Sequence, residues 1–249
     1  MKKVVVAVPF SESQKARLKK TAESYGDEIS FITSEAVTEG DICDADAVIG
    51  NVEPDVLKAS SRLSWLQLNS SGVDAYVKDG VVPEEAVITS ATGAYGTALS
   101  EYMVAMLLVM MKKIPMYMDD QKNRDWKDEG PVASPAGKRI LIVGTGDAGL
   151  AFARRIKAFE LPDNRITLSG IRRRADFCPE PLNEIHPTSE LAAELEKADV
   201  VAATLPGTEQ TYHIFDREML LHCKKGAYFL NAGRGSAVDE KDRSAGYAI

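Results

Sequence analysis

A chain of 249 residues can form one large domain or two ordinary ones, and 45% apolar with 27% charged residues is a globular balance, which excludes a disordered, collagenous or coiled-coil protein. Thirty basic against 37 acidic residues leave a net charge of −7, a poor electrostatic match for nucleic acid or an anionic membrane. Cys43, Cys178 and Cys223 are too few and too scattered for a disulfide framework or a zinc site, so no metal is expected and they read as reduced thiols of a cytoplasmic protein.

The opening Met1-Lys2-Lys3 and the run Val4–Val8 resemble the start of a signal peptide, but the run stops at Pro9 and no small-x-small cleavage site follows. Along the chain, short β-branched runs alternate with helical stretches, the rhythm of a parallel sheet covered by helices. Val4–Val8, Ile29–Ile32, Ala47–Ile49, Trp65–Leu68 and Ala86–Ile88 read as buried strands, with helices expected over Ser13–Ser24, Pro54–Ala59 and Asp74–Lys78. A long helix over Ala98–Lys113 follows. Its stretch Met103–Met111 is apolar throughout, which predicts burial on all sides, yet it is about half the ~18–20 residues a spanning helix needs. A second helix is expected over Met116–Lys127, then a loop rich in Gly, Pro and Ser up to Gly137. Strands resume at Arg139–Val143, Arg165–Leu168, Asp199–Thr204 and Ala227–Leu230. The expected division is therefore into residues 1–99 and 100–249, with the long helix as the crossing.

The strongest single signal is Gly144-Thr145-Gly146-Asp147-Ala148-Gly149, directly after the strand Ile140–Val143 and directly before a helical pattern carrying Phe152, Ile156 and Phe159. Gly144 permits the tight turn, Gly146 lets backbone approach a pyrophosphate, and Gly149 lets helix and strand pack closely, with the helix N-terminus facing the phosphates. A strand-to-helix turn without a ligand is the plainer alternative. The next strand ends in Arg172-Arg173-Arg174, where an NAD site usually carries Asp or Glu. Guanidinium groups match a ribose 2′-phosphate, so Arg172 and Arg173 favour NADP over NAD; a solvated basic loop is the alternative. Downstream, Leu205-Pro206-Gly207-Thr208 and Asn231-Ala232-Gly233-Arg234-Gly235 close two further strands, at the end of an α/β sheet where ligands bind.

These segments, with Ser70-Ser71-Gly72-Val73-Asp74, Thr92–Gly96 running into Ser100-Glu101, and Val238-Asp239-Glu240, resemble the D-isomer-specific 2-hydroxyacid dehydrogenases over nearly the whole chain. The resemblance implies an α/β chain of two Rossmann-like, doubly wound parallel-sheet domains, a flavodoxin-like substrate domain (1–99) and a dinucleotide-binding domain (100–249), with the active site in the cleft. It implies hydride transfer between nicotinamide and C2 of a small 2-oxo or 2-hydroxy acid. Arg234 would grip the substrate carboxylate and polarise the carbonyl. Ser71, Gly72 and Val73 would hold the same carboxylate through backbone N–H groups, and Leu205, Pro206, Asn231, Ala232 and Gly233 would line the nicotinamide end. A homodimer formed through the apolar helix Leu99–Met111 is also implied.

One departure stands out. The family's proton donor, a histidine held by a glutamate, belongs to sequence after the Asn-Ala-Gly-Arg-Gly segment, and Lys241–Ile249 does not resemble that continuation. His186, His213 and His222 fall on no motif of the family and read as structural or solvated. The expectation is a C-terminally truncated member with an exposed sheet edge, weakened cofactor binding, and catalysis impaired by the ~10²–10⁴ that loss of a general acid costs. The alternative from another class is a non-catalytic NADP-binding regulatory protein of the same fold.

Overall fold

The computed structural model describes residues 1–239, so Glu240 of the Val238-Asp239-Glu240 segment and the tail 241–249 lie outside the described residues. The chain divides into two compact units, Met1–Ala94 and Tyr95–Ile249.

In the first unit, β1 (Lys3–Val6), β2 (Glu28–Phe31), β3 (Ala47–Ile49), β4 (Trp65–Gln67) and β5 (Val87–Thr89) form a five-stranded sheet of order β2-β1-β3-β4-β5. All four pairings are parallel, with Val5 beside Val48 and Leu66 beside Ile88. The sheet follows from the β-branched runs, because side chains alternate between faces along each strand. Val5, Val48 and Leu66 point to one face, where they are fully buried against Ile42, Leu57 and Leu63. Those residues come from α2 (Glu39–Ile42), α3 (Pro54–Leu57) and the turn after it. Toward β2 lies α1 (Glu12–Tyr25), which starts at a capping box in which Ser11 N–H donates to Gln14 Oε1 at 2.8 Å. At the β4–β5 end the opposite face is open, with Trp65 and Val87 exposed.

The helix expected over Asp74–Lys78 does not form. Val73 and Tyr76 mimic a helical spacing, but Val73 C=O accepts from both Tyr76 N–H (2.8 Å) and Val77 N–H (3.3 Å), and the segment runs on as turns that drop Tyr76 into the core.

The second unit opens with α4 (Gly96–Met111) and α5 (Ile114–Asn123). Its sheet, of order β10-β9-β6-β7-β8, comprises β6 (Arg139–Val143), β7 (Thr167–Ile171), β8 (Glu184–His186), β9 (Val200–Ala203) and β10 (Tyr228–Asn231), parallel throughout. Both faces are covered, as parallel sheets require. Ile140, Ile142, Leu168, Val200 and Ala202 pack against Met103, Leu107 and Met111 of α4 and Phe152 and Ile156 of α6 (Asp147–Ile156). On the other side, Leu141, Val143, Ile171 and Val201 meet α7 (Leu191–Leu195) and α8 (Arg217–Leu221), with Phe215 edge-on to Phe229. Helices on both faces make this sheet doubly wound.

Burial of α4 on all sides is corrected. Met103, Leu107 and Met111 recur at i, i+4, i+8 and are buried, whereas Tyr102 and Ala105 are exposed and Val104, Met106 and Met110 half-buried. Only one stripe of the helix meets the sheet. A strand that the β-branched runs do not announce, β8, ends at His186.

Candidate functional site

The second sheet reverses strand order between β6 and β9, and a ligand crevice of an open α/β sheet forms beyond such a switch point. Three loops leave the strand ends there, each held to its neighbour by a backbone bond: Gly144 N–H to Ile171 C=O (2.9 Å), Thr204 N–H to Val143 C=O (2.8 Å) and Ala232 N–H to Ala203 C=O (2.9 Å). The glycine turn thus sits between β7 and β9. Gly144 adopts a left-handed φ of +98°, and a Cβ on Gly149 would strike the Gly144 carbonyl and come within 2.9 Å of Thr204 Oγ1, so α6 rests directly on the turn. Thr204 Oγ1 donates to Gly144 C=O at 2.6 Å, a lock that the motif pattern does not reveal; the only sequence signal was a hydroxyl at the end of a buried strand.

These residues fit a dinucleotide. Gly146 is the N-cap of α6 and no side chain caps the first turn. A Cβ there would meet nothing within 4 Å, so the terminus is open to an anion. Thr145 Oγ1 is buried and has no hydrogen-bond partner among the described residues. Asp147 and Ala148 begin the helix, with the Asp147 carboxylate exposed beside the start of α4.

Arg172 follows β7 directly and is half-buried, while Arg173 and Arg174 are exposed. Arg172 N–H donates to His186 C=O at 3.1 Å, which continues the β7–β8 ladder into the arginine loop.

Leu205 and Pro206 follow β9, and the loop after β10 packs on them closely enough that a Cβ on Gly233 would lie 2.7 Å from Leu205 N. Asn231 shapes that loop by accepting from Gly233 N–H (3.1 Å) and donating to Arg234 C=O (2.9 Å). Ala237 N–H donates to the same Arg234 carbonyl at 3.1 Å, so the arginine backbone is fixed from both sides, with its side chain half-buried. The glycine turn, Arg172, Leu205-Pro206 and Asn231–Arg234 therefore all lie at the carboxyl end of one sheet.

Ser71, Gly72 and Val73 belong to the first unit, at the carboxyl end of β4. Asn51 and Asn69 each donate backbone N–H to the other's Oδ1, at 2.9 and 3.1 Å, and so join the ends of β3 and β4 just before this turn. Ser70 Oγ donates to Gly72 C=O at 2.9 Å, and Val73 anchors the turn on the core. The reciprocal asparagine clamp has no sequence signature, since 18 residues separate its members.

One cluster has the composition of a metal site. Ligand atoms of Glu184, His186 and Glu194 lie within 4.8 Å of one another. Cationic side chains already fill that role. Arg139 Nη2 contacts Glu184 at 2.5 Å and Glu194 at 2.7 Å, and Lys197 Nζ contacts Glu194 at 2.6 Å. Burial would push the Glu194 carboxyl up, but the hydrogen bonds from Lys197 and Arg139 outweigh it and hold the pKa at about 2. The remaining histidines are also paired with carboxylates, His222 with Glu196 at 2.8 Å and His213 with Asp239 at 3.5 Å.

Comparison with known proteins agrees with this geometry. Residues 104–244 match the family model described as D-isomer specific 2-hydroxyacid dehydrogenase, NAD binding domain. The glyoxylate reductase of Thermofilum pendens is 29% identical over 209 residues, 80% of this chain and 60% of that protein. Glyoxylate/hydroxypyruvate reductase B of Pectobacterium atrosepticum is 29% identical over 198 residues, 77% and 59% respectively. The chain thus spans about three fifths of the length of these curated relatives. Among solved structures, a D-isomer specific 2-hydroxyacid dehydrogenase family protein from Aeromonas salmonicida superposes with a TM-score of 0.81 at 28% identity, over 97% of this chain and 76% of that one. An NADPH-dependent glyoxylate/hydroxypyruvate reductase from Sinorhizobium meliloti, in complex with NADP and sulfate, shares the fold at 22% identity and a TM-score of 0.78, over 98% and 76%. No helix among the described residues is long and apolar enough to cross a membrane. With its glycine turn, arginine loop and Asn-Ala-Gly-Arg-Gly segment on a doubly wound sheet, the chain belongs to the D-isomer specific 2-hydroxyacid dehydrogenase family.

Proposed function

We propose that this chain binds NADPH in preference to NADH on its second unit and serves the reduction of a small 2-oxo acid, glyoxylate or hydroxypyruvate being the compounds that name its relatives. The observation that carries the reading is the convergence of the uncapped α6 terminus, Arg172 and the Arg234 loop on one end of one sheet. The nicotinamide, when bound, supplies the hydride that goes to C2 of the acid. The turn Gly144–Gly149 holds the pyrophosphate through backbone N–H groups, and Arg172 and Arg173 take the 2′-phosphate. Leu205, Pro206 and Asn231–Gly233 form the wall at the nicotinamide end. Arg234 binds the carboxylate as a bidentate cation and polarises the neighbouring carbonyl. Gly72 and Val73 N–H, with Ser71, form the first unit's candidate carboxylate contact. Residues 1–99 are assigned to the substrate half and 100–249 to the cofactor half. The half-buried Met106 and Met110 of α4, with exposed Met116 and Met118 of α5, suit a homodimer, and the unbridged cysteines suit a reducing cytoplasm.

Reduction also puts a proton on the carbonyl oxygen, and the three histidines are each engaged by a carboxylate. The second reading is an NADPH-binding regulator of the same fold, in which the cofactor binds and turnover is lowered by about 10²–10⁴. Calorimetric titration with NADPH and NADH tests cofactor choice, and steady-state NADPH oxidation with glyoxylate and hydroxypyruvate tests turnover. Equal affinity for both cofactors, unchanged in an Arg172→Ser/Arg173→Ser variant, sinks the NADP reading. Rapid turnover sinks the regulatory one.

A further inference from the structure

The three-residue strand β8 sits at the edge of its sheet and, among the described residues, pairs with β7 alone. Side chains add what this short ladder lacks. Glu184 of β8 accepts from both Nη atoms of Arg139, at 3.5 and 2.5 Å, and Arg139 begins β6, on the far side of β7. The same guanidinium holds Glu194 of α7, which is 1% exposed and also accepts from Ser169 Oγ of β7 at 3.1 Å. His186, the last residue of β8, turns its ring to Glu190 (2.9 Å) and Glu184 (3.4 Å), while its carbonyl accepts the Arg172 N–H. The network therefore ends on the backbone of the first arginine of the loop.

We propose that the tether of Arg139, Glu184, His186 and Glu194 is a positioning device that sets cofactor selectivity: it pins β8 in register and so fixes the His186 carbonyl that holds the backbone of Arg172, which is thereby aimed at a ribose 2′-phosphate. The inference rests on the reading of Arg172 and Arg173 given above. Register is the sensitive quantity, because a slip of one residue turns every side chain of a strand to the other face and would carry the His186 carbonyl away from Arg172. Charged groups that are satisfied together in only one register can single out that arrangement among near-equal ones. A ribose without the phosphate makes no call on the arginines, so the tether acts on NADPH and leaves NADH aside.

Position and charge make opposite predictions, and this separates them. Deleting the Glu184 carboxylate near the arginine loop strengthens its pull on a phosphate by charge alone, yet frees β8. Glu184→Gln removes the charge and keeps an acceptor for Arg139; Glu184→Ala removes both. Calorimetric titration of the full chain with NADPH and NADH is expected to give Glu184→Gln a wild-type or higher NADPH preference. Glu184→Ala is expected to lose about three- to tenfold of that preference, the range for weakening a charge-assisted hydrogen bond, with NADH affinity within about twofold of wild type. Glu184 is 42% exposed, so both variants should fold, and His186→Asn, which cuts the ring contacts alone, should shift the preference the same way as Glu184→Ala. Equal behaviour of Glu184→Ala and Glu184→Gln, or a His186→Asn protein with wild-type preference, overturns the tether. Arg172→Ser is the control. If it leaves the preference intact, the arginine reading itself is wrong; if it abolishes the preference while the tether variants do not, only the tether fails.

Discussion

Glu194 offers a quantitative test of how the second unit is held together. Its side chain is 1% exposed and carries Arg139 at 2.7 Å and Lys197 at 2.6 Å, which hold its pKa at about 2 against an ordinary 4.5. A carboxyl whose pKa is lower folded than unfolded stabilises the fold above its unfolded pKa, and that contribution is lost as pH falls through the folded one. A displacement of about 2.5 pH units at 1.36 kcal/mol each gives about 3 kcal/mol at pH 7, of which about 2 are gone by pH 3. The assay is urea unfolding of wild type and Glu194→Gln at a series of pH values from 7 to 3. Other depressed carboxyls, such as Glu160 at about 2, titrate alike in both proteins and cancel in the difference. Wild type should lose about 2 kcal/mol more than the variant on acidification. Parallel stability curves would refute the reasoning.

Two further substitutions probe the glycine turn. Gly149→Ala places a methyl against the Gly144 carbonyl and 3.0 Å from Ile142 Cγ2, forcing α6 off β6; the expected cost is about 1–3 kcal/mol in urea unfolding, with at least about tenfold weaker NADPH binding by calorimetry. Asp147→Asn removes an exposed carboxylate from the helix terminus proposed to face the pyrophosphate, and should tighten NADPH binding about three- to fivefold at low salt, with the gain fading toward about 0.5 M salt.

Much of the fold could be read from the sequence because its strongest strands are decided locally. Arg139–Val143 and Ala47–Ile49 form over the residues expected, since β-branched runs flanked by turn residues have few other ways to be buried. The glycine turn was legible because all six of its positions are contiguous and its flanks have opposite periodicities. What stayed hidden depends on distant partners. Glu184–His186 has two ionisable side chains in three residues and looks like a loop; it becomes a strand through β7 and through Arg139, 45 residues away from Glu184. Asp74–Lys78 misled in the other direction, because Val73 and Tyr76 share the spacing of a helix while each is drawn into the core separately from a turn. The composition of α4 exceeded what its packing uses, so an apolar sequence gave no sign of which stripe would face the sheet.

The two tryptophans of the chain stand one in each unit. Trp65 lies on the open end of the first sheet, its indole N–H donating to Thr89 Oγ1 at 2.8 Å, whereas Trp126 projects fully into solvent. Their emission spectra should differ accordingly, with Trp126 at the wavelength of an indole in water and Trp65 displaced to the blue. A Trp126→Phe protein would then carry a single tryptophan on that partly exposed end of the sheet, and any molecule settling there would announce itself as a further blue shift.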